Sequence, residues 1–518
     1  MGDGDAKIAY LSLVRPITDL AFHNSYARLH PAFYEVVDPT PLPDPYLVAF
    51  NPDAAALLDL DPEAVRDPAL PAFLSGGRRI PGSEPIAEAY AGHQFGVWVP
   101  QLGDGRAFLL GQVRHGDAIW DLHLKGGGKT RFSRFGDGRA VLRSVIREYL
   151  ASEALHGLGI PTSRALSIVG SDLPVQRETV ETAATLIRLA PSHVRFGTFE
   201  FFASRGELDR VRELADHVIE GHYPDLAGDP DRIRRLFGVV TRRTGILMAQ
   251  WMAAGFAHGV MNTDNMSILG LTLDYGPYGF LDDYDPDFIC NHTDVEGRYA
   301  FGRQPGIGMW NCARLGEALL ATDPALANRG APSGEMDPAL AGWQEELESY
   351  WDAFTPEYGR LMRARLGLMT ERDADPTLLR DLFTLLRDQR ADYTRFLRSL
   401  GSFDSTLGGW PEGAAPELPA GGDRARLDAW SAAYASRLRA EASVDTERRE
   451  RMQRVNPRYV LRNWIAQEAI EEAQRKNFGM IEELRRLFAS PCDEHPGMER
   501  FAEPPTATAR EISVSCSS

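Results

Sequence analysis

The 518-residue chain has few cysteines, no long apolar run and no excess of positive charge. Its 4 cysteines include no Cys-x-x-Cys pair, which argues against a structural zinc site. It contains no run of about 18 apolar residues, so we expect no membrane span. The formal net charge of -17 argues against nucleic-acid binding, because that binding relies on lysine and arginine.

Targeting signals are also missing from the first residues. Residues 1–7 show no charged-then-apolar signal peptide and are too acidic for a mitochondrial presequence. A hydrophobic share of 43% and a charged share of 25% are ordinary for a soluble enzyme. We therefore expect a cytoplasmic, monomeric enzyme that binds neither nucleic acid nor membrane.

The most informative stretch is residues 258–276. Two short apolar runs flank Gly270, which predicts a tight hairpin of two strands. Asn265 enters this hairpin and Asp274 leaves it, so their side chains should lie close together. An amide oxygen beside a carboxylate suits Mg²⁺, which takes its other ligands from water and phosphates, and Asp264 is a neighbouring proton acceptor. The alternative is a surface hairpin with ordinary turn residues.

Glycines and cations are concentrated upstream. Residues 103–106 (GDGR) form a turn before a strand at 107–113, and the alternating residues 119–125 predict a half-buried strand that ends in Lys125. Residues 125–139 hold 5 cations among 5 glycines, a composition that can wrap a polyphosphate. The spacing does not fit a P-loop. The alternative is a flexible, solvated basic loop.

Charged residues in regular elements follow. A helix is predicted over residues 139–158, with Glu148 in its middle. A strand lysine followed by a helix glutamate is the pair with which protein kinases hold phosphates, whereas most helical glutamates face solvent. Arg188 lies in an apolar strand at 185–190, and Arg195 follows it. A buried arginine needs a partner, either a phosphate or an internal salt bridge.

The remaining chain is mostly helical. We expect an extension at 1–85 packed on the core, a β-rich unit with one long helix at 86–204, a helical unit at 205–400, and a linker with further helices and a flexible tail at 401–518. A polar linker is predicted between strands at 165–169 and 185–190. Further helices are predicted at 54–58 (capped by Asn51 or Asp53), 236–257, 305–322, 339–370, 376–400, 424–439 and 458–474.

The order of these features is that of a protein kinase. Aligning residues 258–265 with the kinase pattern H-R-D-L-x-x-x-N places Asn265 on the metal-binding asparagine. The same alignment places residues 274–276 (DYG) on D-F-G. It also places Val260 where the kinase base should stand, so ordinary phosphoryl transfer lacks its usual base here.

Nearly the whole chain resembles the selenoprotein O family of kinase-like protein adenylyltransferases. The resemblance implies an α+β, two-lobed pseudokinase fold that binds ATP in a flipped orientation. It implies transfer of AMP to Ser, Thr or Tyr hydroxyls of proteins with Mg²⁺, and Mn²⁺ is equally compatible with oxygen ligands. The matching segments are 90–96 (YAGHQFG), 103–106, 125–126, 132–134 (FSR), 137–139 (DGR), 258–266 (HGVMNTDNM), 273–277 (LDYGP), 456–459 (NPRY) and 516–518 (CSS).

The resemblance also implies roles for individual residues. Asp264 is implied as the proton acceptor, Asn265 and Asp274 as metal ligands, and Glu148 as the support of Lys125. Cys516 stands where some family members carry selenocysteine, which implies a redox bond with Cys290; the alternative is two free thiols. The implied ATP-binding residues are Gly103, Gly105, Arg106, Lys125, Asp137, Gly138, Arg188, Arg195 and Asp274.

Two other functions remain open from the sequence. The first is a kinase that transfers the γ-phosphate, with Asp264 as its base, and Val260 argues against it. The second is a nucleotide-binding scaffold without catalysis. The presence of Lys125, Asp264, Asn265 and Asp274 argues against that scaffold.

Overall fold

The computed structural model describes residues 14–323, 338–416, 423–512 and 514. These residues form an α+β structure, which confirms the predicted class. The strands are β1 (Tyr34–Val36), β2 (Tyr46–Phe50), β3 (Ile86–Glu88), β4 (Gly92–Gln94), β5 (Val97–Val99), β6 (Ala107–His115), β7 (Ala118–Lys125), β8 (Ala140–Val141), β9 (Arg164–Gln176), β10 (Val180–Ala190), β11 (Phe256–Ala257) and β12 (Gly279–Phe280).

Fourteen α-helices occur in the same described residues. They are α1 (Pro52–Ala56), α2 (Leu70–Leu74), α3 (Leu142–Gly157), α4 (Phe196–Ala203), α5 (Leu208–His222), α6 (Arg232–Ala254), α7 (Gln304–Leu320), α8 (Pro338–Arg365), α9 (Asp375–Gln389), α10 (Tyr393–Ser399), α11 (Arg424–Ala440), α12 (Asp445–Gln453), α13 (Asn463–Gln474) and α14 (Gly479–Ala489). None of them is long and apolar enough to cross a membrane.

The main sheet is antiparallel and has the order β1-β3-β6-β7-β10-β9-β2, with β8 paired to β10. One face packs on α1 and α2, where Leu122 and Leu124 of β7 are buried. The other face packs on α3. Asn51 caps α1 by accepting hydrogen bonds from the backbone of Asp53 and Ala54, as the sequence predicts.

Helix α6 leads into the site and packs against α7 and α8. It ends at Gly255, whose φ of 72° is the left-handed conformation typical of a helix C-terminus. The chain then forms β11, which pairs with β12. Residues 258–278 connect these two strands, so the pairing of β11 with β12 fixes both ends of the segment.

The predicted two-stranded hairpin around Gly270 is wrong in its secondary structure. The chain does reverse there, but Met266 and Thr272 form only an isolated antiparallel bridge. Ser267 bridges to Arg195, and Thr272 also bridges to Thr162. The apolar residues of this stretch are buried against other elements, and these contacts replace a regular ladder.

Other element boundaries also differ from the prediction. The prediction of a polar linker between the strands at 165–169 and 185–190 is wrong. Strands β9 and β10 extend through this region and leave only residues 177–179 as a turn. The strand at 119–125 is not half-buried, since Asp121, His123 and Lys125 are as buried as the leucines between them. Four helices, α2, α4, α12 and α14, were not predicted.

Candidate active site

A cavity of about 550 Å³ lies between the main sheet and residues 260–277. The sheet side contributes residues of β6, β7 and β10 and the glycine-rich segments around them. The opposite side contributes the loop that follows β11. The predicted site residues that line it are Gly103, Gly105, Arg106, Lys125, Asp137, Gly138, Arg188, Asp264, Asn265 and Asp274.

Lys125 and Glu148 form a buried ion pair at the back of this cavity. Lys125 ends β7, and its Nζ donates to Glu148 Oε2 of α3. Glu148 Oε1 accepts a second hydrogen bond from Arg188 Nη1 at 2.9 Å. Burial disfavours an ionised Glu148, but the charges of Lys125 and Arg188 outweigh it and lower the pKa of that carboxyl to about 2. The carboxylate therefore stays charged, and a solvent-facing Glu148 is excluded.

Asp274 has an uncommon backbone and two cationic partners. Its φ of 59° lies in the left-handed region, which a non-glycine residue rarely adopts. Arg188 Nη1 donates to its Oδ1 and Arg195 Nη1 to its Oδ2. Arg195 Nη1 also donates to the backbone oxygen of Asp264 at 2.8 Å. Both arginines thus make the internal salt bridges that were one of the two predicted outcomes.

Asp264 is held by the hairpin of β4 and β5. Gln94 Nε2 of β4 donates to Asp264 Oδ2 at 3.2 Å, and His93 N donates to Thr263 Oγ1 at 2.8 Å. Phe95 N donates to Asn262 Oδ1 at 3.1 Å. Burial raises the pKa of Asp264 to about 6, against the opposing effect of the hydrogen bond from Gln94. A carboxyl with this pKa can exchange protons near neutral pH.

Asn265 and Asp274 supply oxygen atoms to the cavity. Asn265 Nδ2 donates to the backbone oxygen of Val260 at 3.0 Å, which fixes the amide and leaves its Oδ1 available. In the described parts of the chain, no group of three or more His, Cys, Asp or Glu side chains could hold a metal. An amide oxygen and one carboxylate fit a hard cation that takes its other ligands from phosphates and water.

The glycine-rich segment 126–139 folds back on itself beside the cavity. Gly128 N donates to Gly138 O at 2.9 Å, and a Cβ at position 138 would lie 2.1 Å from the carbonyl carbon of Gly128. Ser133 Oγ donates to Gly105 O at 2.5 Å, which joins this segment to the 103–106 turn. The segment is thus a built part of the cavity wall and not a wholly solvated loop.

Comparison with known proteins agrees with these motifs. The sequence model of the family described as "Protein adenylyltransferase SelO" matches residues 16–488. The chain belongs to the SelO family.

Relatives in this family match almost end to end. The protein nucleotidyltransferase YdiU of Myxococcus xanthus is 54% identical over 503 residues, which cover 97% of this chain and 99% of the relative. The protein of the same name from Thioalkalivibrio sulfidiphilus is 53% identical over 505 residues, with 97% and 99% covered. This SelO-family chain is therefore an enzyme of the protein nucleotidyltransferase class.

Arg177 lines the candidate site of this SelO-family protein, although no sequence pattern indicated it. It lies in the turn between β9 and β10, lines the cavity, and donates to both carboxylate oxygens of Asp137 at 2.8 and 2.9 Å. It also donates to the backbone oxygen of Arg139 at 2.8 Å. These hydrogen bonds lower the pKa of Asp137 and clamp one end of the glycine-rich segment. The pattern Gln176-Arg177-Glu178 carries no signal of this role.

Three predicted residues do not line the cavity. Glu148 and Arg195 lie behind it and reach it through Lys125, Arg188 and Asp274. Cys290 is buried elsewhere, and its Sγ donates to the backbone oxygen of Ala257 at 3.6 Å. The predicted partner Cys516 lies outside the described residues.

Proposed function

We propose that this SelO-family enzyme transfers AMP from ATP to Ser, Thr or Tyr hydroxyls of proteins and releases pyrophosphate. The proposal rests on one cavity. It is lined by cations that can bind phosphate, by two residues with oxygen ligands for a metal and by the carboxyl of Asp264. Because all of these residues belong to one chain, we expect the monomer to be active.

The sheet side of the cavity suits a polyphosphate. Lys125, Arg106 and Arg188 all reach it, and the backbone of Gly103, Gly105 and Gly138 lines the same wall. Charged donors of this kind bind phosphate oxygens more strongly than neutral ones. We propose that they bind ATP and stabilise the charge that develops on the departing pyrophosphate.

The metal is proposed to be Mg²⁺, with Mn²⁺ as an equally suitable ion. Asn265 Oδ1 and a carboxylate oxygen of Asp274 would hold it. When bound, the ion supplies positive charge that offsets the charge of the phosphates. Arg188 and Arg195 keep Asp274 in position for this role, since each donates to one of its two carboxylate oxygens.

The reaction that we propose uses Asp264 as the proton acceptor. The acceptor hydroxyl oxygen forms a bond to the α-phosphorus of ATP, and the bond from that phosphorus to the bridging oxygen breaks. The hydroxyl proton passes to Asp264, and pyrophosphate leaves with the electron pair of the broken bond. Gln94 orients the carboxyl through its hydrogen bond to Oδ2.

A kinase-like, two-lobed organisation with flipped ATP is part of the proposal. It is supported by the position of the cavity between the sheet with α3 and the residues that follow α6. It is also supported by the Lys125–Glu148 pair. Val260 lines the cavity where a kinase would carry its base, which favours AMP transfer over γ-phosphate transfer.

We also propose a regulatory disulfide between Cys290 and Cys516, formed when a disulfide oxidant removes two electrons and two protons from the thiols. Its support is that Val514, two residues before Cys516 in the chain, accepts a hydrogen bond from His292 N at 3.1 Å. The described end of the chain therefore reaches the loop that carries Cys290. Mass spectrometry of the unreduced protein tests this bond.

The products of the reaction test the proposed function. The enzyme is incubated with ATP, Mg²⁺ and a mixture of acceptor proteins, and the nucleotide products are separated. We expect pyrophosphate in the same molar amount as the AMP attached to protein. Formation of ADP together with phosphorylated protein would show a kinase, and binding of ATP without any product would show a scaffold.

A further inference from the structure

A fully buried histidine lies behind the phosphate-binding side of the cavity. His123 is on the same face of β7 as Lys125, two residues away, and it is directly opposite Arg188 of β10 in the sheet register. Its exposed fraction is 0%. A polar side chain in such a place needs hydrogen-bond partners, because burying it without them is costly.

His123 uses both ring nitrogens. Arg188 Nε donates to His123 Nδ1 at 3.2 Å, so Nδ1 is an acceptor. His123 Nε2 lies 3.3 Å from Asp104 Oδ2, and it must be the nitrogen that carries the proton and donates. Asp104 is itself fixed, since its Oδ2 also accepts from Glu88 N at 3.1 Å. One imidazole thus joins Arg188 to the 103–106 turn.

The guanidinium of Arg188 is consequently held on two sides. Nε donates to His123, while Nη1 donates to Glu148 Oε1 and Asp274 Oδ1. Within the described residues, Nη2 donates to no protein acceptor, and Arg188 lines the cavity. Since a guanidinium is planar, fixing Nε and Nη1 also fixes the direction of the Nη2 donor.

We propose that His123 is a positioning residue for nucleotide binding: it holds Arg188 so that Nη2 donates to a phosphate oxygen of ATP, and it ties this donor to the turn of Gly103 and Gly105 through Asp104. The inference rests on the proposed use of ATP by this cavity. It assigns a role in binding to a side chain that never touches the ligand.

A purely structural role is the competing explanation. The ring of His123 stacks on that of His193, with centroids 4.4 Å apart and planes 22° apart. His193 is bound to Asp121, whose Oδ2 accepts from its backbone N at 2.7 Å. Among the residues that the structure describes, no hydrogen bond or ion pair joins His193 to Arg188. His193→Phe is therefore a matched control that disturbs the same buried pair of rings without removing a partner of Arg188.

The experiment measures the dissociation constant of ATP with the full chain and Mg²⁺, and checks folding by thermal unfolding. His123→Phe keeps a ring but removes both nitrogens. We expect it to weaken ATP binding about tenfold, which is the loss of one well-aligned charge-assisted hydrogen bond. His193→Phe should bind ATP as the wild type does.

Two amide variants separate the nitrogens of His123. His123→Asn places an amide oxygen near Nδ1 and keeps the acceptor for Arg188, whereas His123→Gln places its amide nearer to Asp104. We expect the Asn variant to bind ATP more tightly than the Gln variant. This order is informative even when His123→Phe does not fold.

A double variant tests whether His123 acts through Arg188. Adding His123→Asn or His123→Gln to Arg188→Gln should cause no further loss of ATP affinity, because the guanidinium that His123 positions is already gone. If the losses of ATP affinity from the two substitutions multiply in the double variant, the proposal is overturned. It is also overturned if the single His123 variants fold and bind ATP like the wild type. A wild type that does not bind ATP would instead overturn the proposed function and this inference with it.

Discussion

Gly92 packs directly against the carboxyl group of Asp264. A methyl group at position 92 would lie 2.6 Å from Asp264 Oδ1 and 3.0 Å from its Cβ. Oδ1 is buried and has no hydrogen-bond partner among the described residues, so its position is set by packing on one side and by Gln94 at Oδ2 on the other. Gly92 of β4 therefore limits the position that the Asp264 carboxyl, the proposed base, can occupy.

Gly92→Ala is predicted to disable the enzyme without unfolding it. The added methyl group must displace the Asp264 carboxyl, and a misplacement of about 1 Å can cost on the order of a hundredfold in rate. We expect kcat for AMP transfer to fall by that order while ATP binding changes little. Gly221→Ala is the matched control, because nothing lies within 4 Å of a methyl group there. Equal activity of the two variants would contradict this account of Asp264.

Asp264→Asn is predicted to remove the proton acceptor while keeping the shape of the site. The amide oxygen can still accept from Gln94, so the hairpin of β4 and β5 should stay in place. General-base catalysis contributes about a hundredfold to ten-thousandfold, and kcat should fall by that amount with ATP affinity nearly unchanged. Initial rates at saturating ATP measure it. Full AMP transfer by Asp264→Asn or Asp264→Ala would refute the assignment of the base.

Glu148→Gln is predicted to weaken both the fold and ATP binding. The change leaves Lys125 and Arg188 buried with one negative partner fewer, and breaking a buried pair costs about 3–5 kcal/mol. Urea unfolding measures the stability. Glu63→Gln is the control, since the Arg66–Glu63 pair is largely exposed and such pairs contribute less than about 1 kcal/mol. Similar losses in the two variants would show that the Lys125–Glu148 pair has no special role.

The contribution of His258 to stability is predicted to depend on pH. Burial lowers the pKa of this imidazole to about 4, whereas it is about 6.5 in an unfolded chain. Below pH 6.5 the unfolded state binds a proton that the folded state does not bind until about pH 4, so stability is lost as the pH falls. Between pH 8 and pH 5 this loss is about 2 kcal/mol.

Comparison with His258→Gln isolates that effect, because the variant lacks the titrating group. The wild type should be more stable than the variant at pH 8, where His258 Nε2 is hydrogen-bonded to Leu273 O at 2.8 Å. The difference should shrink by about 2 kcal/mol at pH 5. Urea unfolding of both proteins at the two pH values measures it, and a difference that does not change with pH would argue against a neutral, buried His258.

Much of the regular structure could be predicted from periodicity and capping. The strand that ends in Lys125 and the helix around Glu148 lie within three residues of their predicted boundaries. The 266–273 stretch could not be predicted. Met266, Ile268 and Leu269 join the large buried cluster that also contains residues of α6, and Ser267 and Thr272 bridge to Arg195 and Thr162 instead of forming a ladder. A hydrophobic pattern predicts that a segment is buried, but it does not predict which other segment packs against it.

The candidate site was also predicted only in part from the sequence. Residues in recognisable motifs, such as Lys125, Asn265 and Asp274, do meet at one cavity. Arg177 and His123 were missed because their importance depends on partners that are distant in the chain, Asp137 and Arg188. The alternation in β7 marks Asp121, His123 and Lys125 as one face, yet only the tertiary structure shows that this face is buried.

The proposed transfer of AMP is tested by comparing ATP labelled at the α-phosphate with ATP labelled at the γ-phosphate. Parallel reactions contain the reduced enzyme, Mg²⁺ and candidate acceptor proteins, and label on protein is counted. We expect label on protein from α-labelled ATP only. Label from γ-labelled ATP only would mean that the enzyme is a kinase and that the interpretation of Val260 is wrong.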